Sequence, residues 1–184
     1  EVTFAEVLKQ KDYVTGLFGK WHVGYSAAFN PVKQGFDEFV GFVSGNVDYQ
    51  SHVDQAGYAD WWQGETLEDE TGYSTDLITG YGEKFIAEHH DKAFCLYLAH
   101  EAPHYPYQGP QDGPERQVGN AKAFKVRADR AQSYKEMIEA MDAGIGRIVE
   151  TVKQAGIEKE TLIFFCSDNG PAAQGASGGL RGKK

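Results

Sequence analysis

The stretch TLIFFCSDNG, residues 161–170, joins the pattern of a buried strand directly to polar ligand chemistry. Residues 161–166 carry no charge and are rich in β-branched and aromatic types, which is typical of a strand buried on both faces. Ser167, Asp168 and Asn169 follow at once, so a carboxylate and an amide oxygen come at the C-terminal end of that strand. Open α/β sheets bind their ligands at this end of their strands. The stretch therefore predicts a sheet with a site at its C-terminal edge.

The rest of the chain repeats the order of a helix followed by an apolar strand. Thr3 and Glu6 match the capping-box spacing at the start of the first helix. The later helices carry apolar residues at helical spacing, and Gly156 stands where the last of them ends. This alternation predicts an α/β fold with a mostly parallel sheet flanked by helices. The predicted pairs are 3–11 with 13–18, 74–90 with 93–99, and 134–152 with 161–166.

Three other regions are less regular. Residues 30–49 are rich in aromatic residues and glycine, and their weak period assigns no element. The region around Trp61 and Trp62 is interpreted as a hairpin or a surface excursion. Residues 107–127 have the glycine and proline content of a loop.

Length and charge restrict the classes of function. The 184 residues fit one domain with a sizeable core, and no apolar run reaches the ~18 residues of a membrane-spanning helix. A net charge of −9 argues against a nucleic-acid partner, which requires clustered Lys and Arg. Cys95 and Cys166 lie in apolar runs, so buried free thiols are expected. Because the chain opens at Glu1 and stops after a glycine-rich stretch, we expect it to be a fragment of a longer protein.

Charged or metal-binding side chains follow each of the three predicted strands. Because parallel strands end on one edge of a sheet, we expect these side chains to face one crevice. For Lys20 and His22, the alternative is that they are a solvated lysine and a packed histidine in an ordinary loop. The terminal Lys183 and Lys184 add cations for an oxyanion, and a histidine can move protons near neutral pH. The six side chains are Lys20, His22, His100, His104, Asp168 and Asn169.

Asp168 and Asn169 offer the hard oxygen ligands that Ca²⁺ and Mg²⁺ prefer. An oxygen-ligated cation needs about six ligands, so further carboxylates are expected from outside this chain. The alternative is that residues 167–170 are only an Asx-type turn that ends the strand.

One motif is misleading. Residues 100–104, HEAPH, match the H-E-x-x-H pattern of zinc proteases, whose chemistry requires both histidines on one helical face. Pro103 lies inside the motif and a predicted strand precedes it, and an internal proline costs a helix about 3 kcal/mol or more. We therefore reject a zinc protease.

Five motifs occur along the chain: GKWHVG at 19–24, GFDEFVG at 35–41, APH at 102–104, SDNG at 167–170 and LRGKK at 180–184. Together they make the chain resemble a type I sulfatase of the arylsulfatase kind, within the alkaline phosphatase superfamily. They occur in the family's order and extend over nearly the whole chain. The resemblance implies an incomplete α/β fold of the alkaline phosphatase and sulfatase kind, with residues 1–184 as part of the catalytic domain.

The resemblance also implies a catalytic role for each matching residue. Lys20 matches the lysine that contacts the sulfate. His22 matches the histidine that takes a proton from the covalent intermediate to restore an aldehyde, and His104 the histidine that protonates the leaving alcohol. Lys184 matches the lysine that bridges the sulfate and the leaving oxygen, with Lys183 as the alternative at that position.

The resemblance places the nucleophile and half of the metal site outside these residues. The family's nucleophile is a formylglycine made from the Cys or Ser of a C/S-x-P/A-x-R motif, which this chain does not contain. Asp168 and Asn169 match two calcium ligands, so Ca²⁺ is the implied cofactor, with Mg²⁺ as the alternative. The paired aspartates that complete the site are expected from elsewhere. The implied mechanism is attack of the formylglycine hydrate on sulfur, release of the alcohol, and expulsion of sulfate.

Substrate choice has the weakest support in the sequence. Asn46, Asp48 and His52 follow the GFDEFVG motif and are candidates for lining the substrate pocket, with a hydrogen-bonded loop as the alternative. The leading interpretation is a hydrolase of aryl or carbohydrate sulfate esters. The alternatives are a phosphodiester or phosphonate ester hydrolase of the same superfamily, and a catalytically silent binding domain. The resemblance implies a periplasmic, secreted or lysosomal protein.

Overall fold

A single sheet of five strands organises the chain in the computed structural model, which describes residues 1–120, 129–171 and 175–182. The strands are β1 (Val14–Lys20), β2 (Glu38–Phe42), β3 (Trp62–Gln63), β4 (Thr66–Leu67) and β5 (Phe94–Ala99). Their order in the sheet is β4-β3-β2-β1-β5. β2 and β5 both run parallel to β1, whereas β3 and β4 form an antiparallel hairpin beside β2. The α/β class and the hairpin around Trp62 are therefore confirmed.

In the described ranges, three α-helices accompany the sheet: α1 (Phe4–Lys9), α2 (Ser74–His89) and α3 (Arg130–Gln154). Two short 3-10 helices, Ala27–Phe29 and Pro31–Lys33, lie between β1 and β2. The predicted capping box starts α1, since the Glu6 N–H donates to Thr3 Oγ1 at 3.1 Å and the Thr3 N–H donates to Glu6 Oε2 at 2.7 Å. α3 packs against α2, where a Cβ added to Gly144 would meet Thr79 Oγ1 at 2.4 Å. Among the described residues, no helix combines the length and the apolar character that crossing a membrane requires.

Successive side chains of β1 point to opposite faces of the sheet, as strand geometry requires, and they are buried on both faces. Leu17 packs in a cluster with Ala5 of α1 and Phe39 of β2. Phe18 packs on the other face, in a cluster that includes Phe85 of α2. Leu17 and Phe18 are 0% and 1% exposed, and full burial of such side chains contributes about 1.5–3 kcal/mol each. The two helices therefore hold β1 from both sides and fix the position of its C-terminal end.

Two glycines let β1 and β2 approach closely at that end. Gly19 and Gly41 are paired in register and have φ of 115° and 149°. A Cβ added to Gly41 would lie 2.0 Å from the Gly19 carbonyl oxygen, a distance that no side chain tolerates. Only glycine fits at position 41, and the sheet edge that carries Lys20 depends on this contact.

The prediction of a buried strand at 161–166 is wrong for this structure. No strand is assigned there, and Leu162 and Phe164 are 78% and 84% exposed. An apolar composition shows that a segment could form a buried strand, but the segment also needs a neighbouring strand to pair with. In the described residues, β5 pairs only with β1, and no further strand lies beside it. Cys166 is correspondingly exposed instead of buried, whereas Cys95 in β5 is partly buried and both thiols are free.

Candidate active site

The parallel pairing of β1 and β5 brings two predicted site segments side by side. Gly19 pairs with Ala99, so Lys20, the last residue of β1, lies next to His100, the first residue after β5. Both positions are at the C-terminal edge of the sheet, where α/β folds bind their ligands. The structure therefore brings together two of the three expected strand ends.

His22 lies against the loop that follows β2, residues 43–60. A Cβ added to Gly45 would lie 2.8 Å from His22 Nε2, so glycine at this position leaves the space that the imidazole occupies. The Trp21 N–H donates to the Phe42 carbonyl at 2.9 Å, which holds the segment after β1 along the end of β2. His22 itself has φ of 52°, the left-handed region that non-glycine residues seldom adopt. The segment after β1 and the loop 43–60 thus meet at this edge.

His104 is oriented by its own turn. Its Nδ1 lies 2.8 Å from the Tyr105 carbonyl oxygen, which only accepts hydrogen bonds, so Nδ1 carries a proton. Nε2 is then the unprotonated nitrogen of the neutral ring, the atom that can accept a proton. The Tyr49 hydroxyl donates to the His104 carbonyl at 3.1 Å, so the loop 43–60 also fixes the backbone of this histidine.

The HEAPH segment, residues 100–104, forms a turn, which agrees with the rejection of a zinc protease. Residues 100–104 contain no helix. Burial lowers the pKa of His100 to about 4, so its ring is neutral at physiological pH. Within the described chain, neither ring nitrogen of His100 has a hydrogen-bond partner.

Asp48 is buried with 0% exposure and accepts five hydrogen bonds. Two reach Oδ1 from backbone N–H groups of its own loop, and three reach Oδ2 from the segment 107–120, at 2.6 to 3.2 Å. The donors are Gln50, Ser51, Gln108, Glu115 and Arg116. These contacts tie two loops together and match the alternative of a hydrogen-bonded loop. Contact between Asp48 and a substrate stays a prediction.

Asn46 is bound by a buried arginine, Arg116, which no sequence motif marks. Arg116 Nη2 donates to Asn46 Oδ1 at 2.6 Å, and Arg116 Nη1 donates to the Val53 carbonyl at 3.2 Å. Asn46 also donates from Nδ2 to Gln55 at 3.2 Å. Arg116 lies in a stretch with loop composition, where a single arginine gives no sign that it is buried. It adds a positive charge to the loop 43–60.

His52 is 3% exposed and packs on an aromatic ring. Its imidazole stacks on Trp61 with ring centroids 4.3 Å apart, and Nε2 donates to the Gly72 carbonyl at 3.0 Å. Burial lowers the pKa of His52, which favours the neutral ring. His52 lines a cavity of about 310 Å³ that four acidic residues also line, which disfavours an anion there. These four are Asp60, Glu68, Asp69 and Glu70.

Asp168 and Asn169 are exposed and do not follow a strand, contrary to the expectation of a strand end. The Ser167 hydroxyl donates to the Asn169 carbonyl at 2.8 Å, a local turn contact. A carboxylate and an amide oxygen that both reach solvent are donors of the kind that a hard cation takes. Lys183 and Lys184 lie outside the described residues.

A second group of potential metal ligands lies at the opposite edge of the sheet. Atoms of Glu38, Glu88 and His89 come within 4.8 Å of one another. Glu38 is the first residue of β2, whereas Lys20 is the last residue of the parallel β1. Glu38 Oε1 is already 2.7 Å from His89 Nε2, in a hydrogen-bonded pair. This group is separate from the predicted pair Asp168 and Asn169.

The family model described as Sulfatase matches residues 1–184. Arylsulfatase J of Mus musculus is 32% identical over 99% of this chain and 31% of its own length, and N-acetylgalactosamine-6-sulfatase of Mus musculus is 31% identical over 91% and 32%. The crystal structure of Ps i-CgsB in complex with k-i-k-neocarrahexaose is 26% identical with a TM-score of 0.66, over 83% of this chain and 36% of that one.

The chain thus spans about a third of the length of these curated relatives. The sheet with Lys20 and the turn with His104 fall inside the matched region, and so do the SDNG and LRGKK motifs. Because the family model matches the chain from its first to its last residue, the chain belongs to the sulfatase family.

Proposed function

We propose that the whole protein hydrolyses sulfate esters to an alcohol and inorganic sulfate, using a formylglycine nucleophile from outside these residues. The family match over residues 1–184 carries this proposal. The adjacency of Lys20 and the turn that holds His104 supports it, because a tetrahedral anion needs a cation and a proton donor at one place.

Each residue at this edge has a distinct task in the proposal. The Lys20 ammonium binds the sulfuryl oxygens as a point charge, so it stabilises the negative charge that develops on them. His104 protonates the leaving alcohol from Nε2, while its Nδ1–H stays on the Tyr105 carbonyl. His22 takes the proton that must leave when sulfate is expelled. Lys184 contacts the sulfate and the leaving oxygen.

Sulfatases as a family bind a metal ion. We assign Asp168 and Asn169 as two of its ligands and calcium as the ion, because both side chains offer exposed oxygen donors. When bound, the ion supplies positive charge to the sulfuryl oxygens.

A carbohydrate sulfate is the substrate class that we favour. One relative is named for a sulfated amino sugar, and the similar Ps i-CgsB structure contains k-i-k-neocarrahexaose. The loop 43–60 carries the predicted substrate residues Asn46, Asp48 and His52, of which Asn46 and His52 are 6% and 3% exposed. We therefore expect this loop to shape the pocket chiefly through its backbone, which its buried side chains hold in place. Export from the cytoplasm is part of the same proposal.

The test is an assay of the whole protein on a sulfated oligosaccharide, an aryl sulfate and an aryl phosphodiester, with sulfate and phosphate products measured separately. We expect sulfate release from the first two, and a loss of about 10²–10³-fold in kcat for Lys20→Ala, the usual effect of removing one electrostatic contact. Lys11→Ala, an exposed lysine in the turn before β1, is the matched control. A strong preference for the phosphodiester would overturn the proposal.

A further inference from the structure

We propose that Glu101 is a positioning residue for Lys20, a buried carboxyl that ties the loop 43–60 to the site edge and whose ionisation opposes the lysine's charge. The inference rests on the proposed function in one respect, since it takes Lys20 as the sulfate contact. It goes beyond that function by giving Glu101, which belonged only to the rejected zinc motif, a role in setting how the site responds to pH.

Glu101 is held in a fixed place by the loop that carries the predicted substrate residues. Its side chain is 4% exposed, and Oε1 accepts the Val47 N–H at 2.9 Å. Val47 is itself 0% exposed and lies between Asn46 and Asp48. In the described part of the chain, Oε2 has no hydrogen-bond partner. A buried carboxyl with one satisfied oxygen is costly to ionise unless a cation lies near.

Lys20 is such a cation. The pairing of Gly19 with Ala99 places Lys20 beside His100, the residue directly before Glu101. Burial raises the pKa of Glu101 well above its usual range, and the Val47 N–H and then the Lys20 charge act against that rise. The two charges therefore interact across the ends of β1 and β5.

Other ionisable groups around Glu101 are committed elsewhere. Arg116 also favours its ionised form, but its guanidinium is bonded to the loop at Asn46 and Val53. Asp48 opposes ionisation of Glu101, and its own carboxylate is occupied by five donors. Tyr49 and Tyr73 have raised pKa values, partly because of Glu101, and are neutral near pH 7. Lys20 and Arg116 both favour the ionised form of Glu101, and of these Lys20 lies at the end of a strand.

Ionisation of Glu101 should weaken the binding of a sulfate ester. Below its raised pKa Glu101 is neutral and does not offset the charge of Lys20. As the pH rises through that pKa, the new carboxylate offsets the lysine and repels the anion. We expect substrate affinity to fall on the alkaline side by about tenfold, which corresponds to about 1.4 kcal/mol.

The test compares the wild-type whole protein with Glu101→Gln and Glu115→Gln over a range of pH. Glutamine keeps an acceptor for the Val47 N–H but cannot ionise, so we expect E101Q to retain the wild-type melting temperature and kcat/KM at low pH. On the alkaline side, E101Q loses the rise in KM of about tenfold that the wild type shows. E115Q, a change at another buried carboxyl of the same region, keeps that rise. Superimposable profiles of wild type and E101Q would overturn the proposal.

A second measurement separates this inference from the proposed function. The infrared band of a protonated carboxyl that is lost in E101Q reports the titration of Glu101 without any substrate. Lys20→Met should move that titration to higher pH, whereas the exposed control Lys11→Met should not. An unmoved titration in K20M refutes the coupling even in an active enzyme. A moved titration in a protein that releases no sulfate upholds the coupling and refutes the proposed function.

Discussion

Replacing Asp48 tests the buried network that joins the loop 43–60 to the segment 107–120. In Asp48→Asn the amide NH₂ must face either the three donors at Oδ2 or the two donors at Oδ1. The two-donor side costs less, and it leaves two backbone N–H groups without an acceptor. A lost hydrogen bond to a charged group costs about 1.5–3 kcal/mol, and such losses are not additive, so we expect about 3 kcal/mol for D48N. Asp48→Ala removes all five acceptor contacts and should cost about 4–5 kcal/mol.

Thermal and urea unfolding of the 184-residue chain at pH 7 measures this effect. For a chain of this length, 1 kcal/mol shifts Tm by about 2–4 °C, so D48N should melt about 6–12 °C below the wild type. Asp91→Asn is the matched control, because Asp91 is exposed in the turn after α2. We expect D91N to stay within about 0.5 kcal/mol of the wild type. A D48N variant as stable as D91N would refute the idea that this carboxylate organises the two loops.

Three further outcomes follow from other parts of the structure. Gly41→Ala should destabilise the chain by at least about 3 kcal/mol in urea unfolding, because its Cβ would lie 2.0 Å from the Gly19 carbonyl. Gly146→Ala, in open space on α3, should instead stabilise it by about 0.5–1 kcal/mol. Stability should fall by up to about 3 kcal/mol as the pH drops from 6.5 toward 4, because the unfolded chain protonates His100 before the folded chain does. His100→Gln should reduce this dependence to the part that His52 contributes, since burial also lowers the pKa of His52, and the exposed control His90→Gln should keep it in full. The 184-residue chain alone should release no sulfate from an aryl sulfate, and measurable turnover would contradict the assignment of the nucleophile to another region.

Local signals predicted the helices and two of the parallel strands. The capping box of Thr3 and Glu6 and the apolar period of the two later helices act within a few residues, so they can be read without knowing the fold. β2 has no clear strand pattern in the sequence, because Glu38–Phe42 mixes aromatic residues with Gly41, which allows the close contact with Gly19. Residues 161–166 show the opposite failure, since their composition predicts burial that no paired edge provides in this structure.

Some residues of the site can likewise be identified from local sequence motifs, whereas others depend on contacts between residues far apart in the sequence. Lys20 and His104 are identified by short motifs, and the parallel pairing of β1 with β5 follows from the alternation of helix and strand. The contacts of Asp48 with Glu115 and Arg116 join residues 67 and 68 positions apart, which no local pattern reports. In the sequence Glu101 stands out only within a false zinc motif, because its partner Val47 is 54 residues away.

His104 provides the most direct test of sulfate ester hydrolysis at this edge of the sheet. Sulfate release by the whole protein is measured for wild type and His104→Asn on a sugar sulfate, whose alcohol needs a proton to leave, and on 4-nitrophenyl sulfate, whose phenolate does not. We expect His104→Asn to lose about 10²–10⁴-fold in kcat/KM on the sugar sulfate and less than about tenfold on the aryl ester. Equal losses on both esters, or a wild type that releases no sulfate from either, would contradict this expectation.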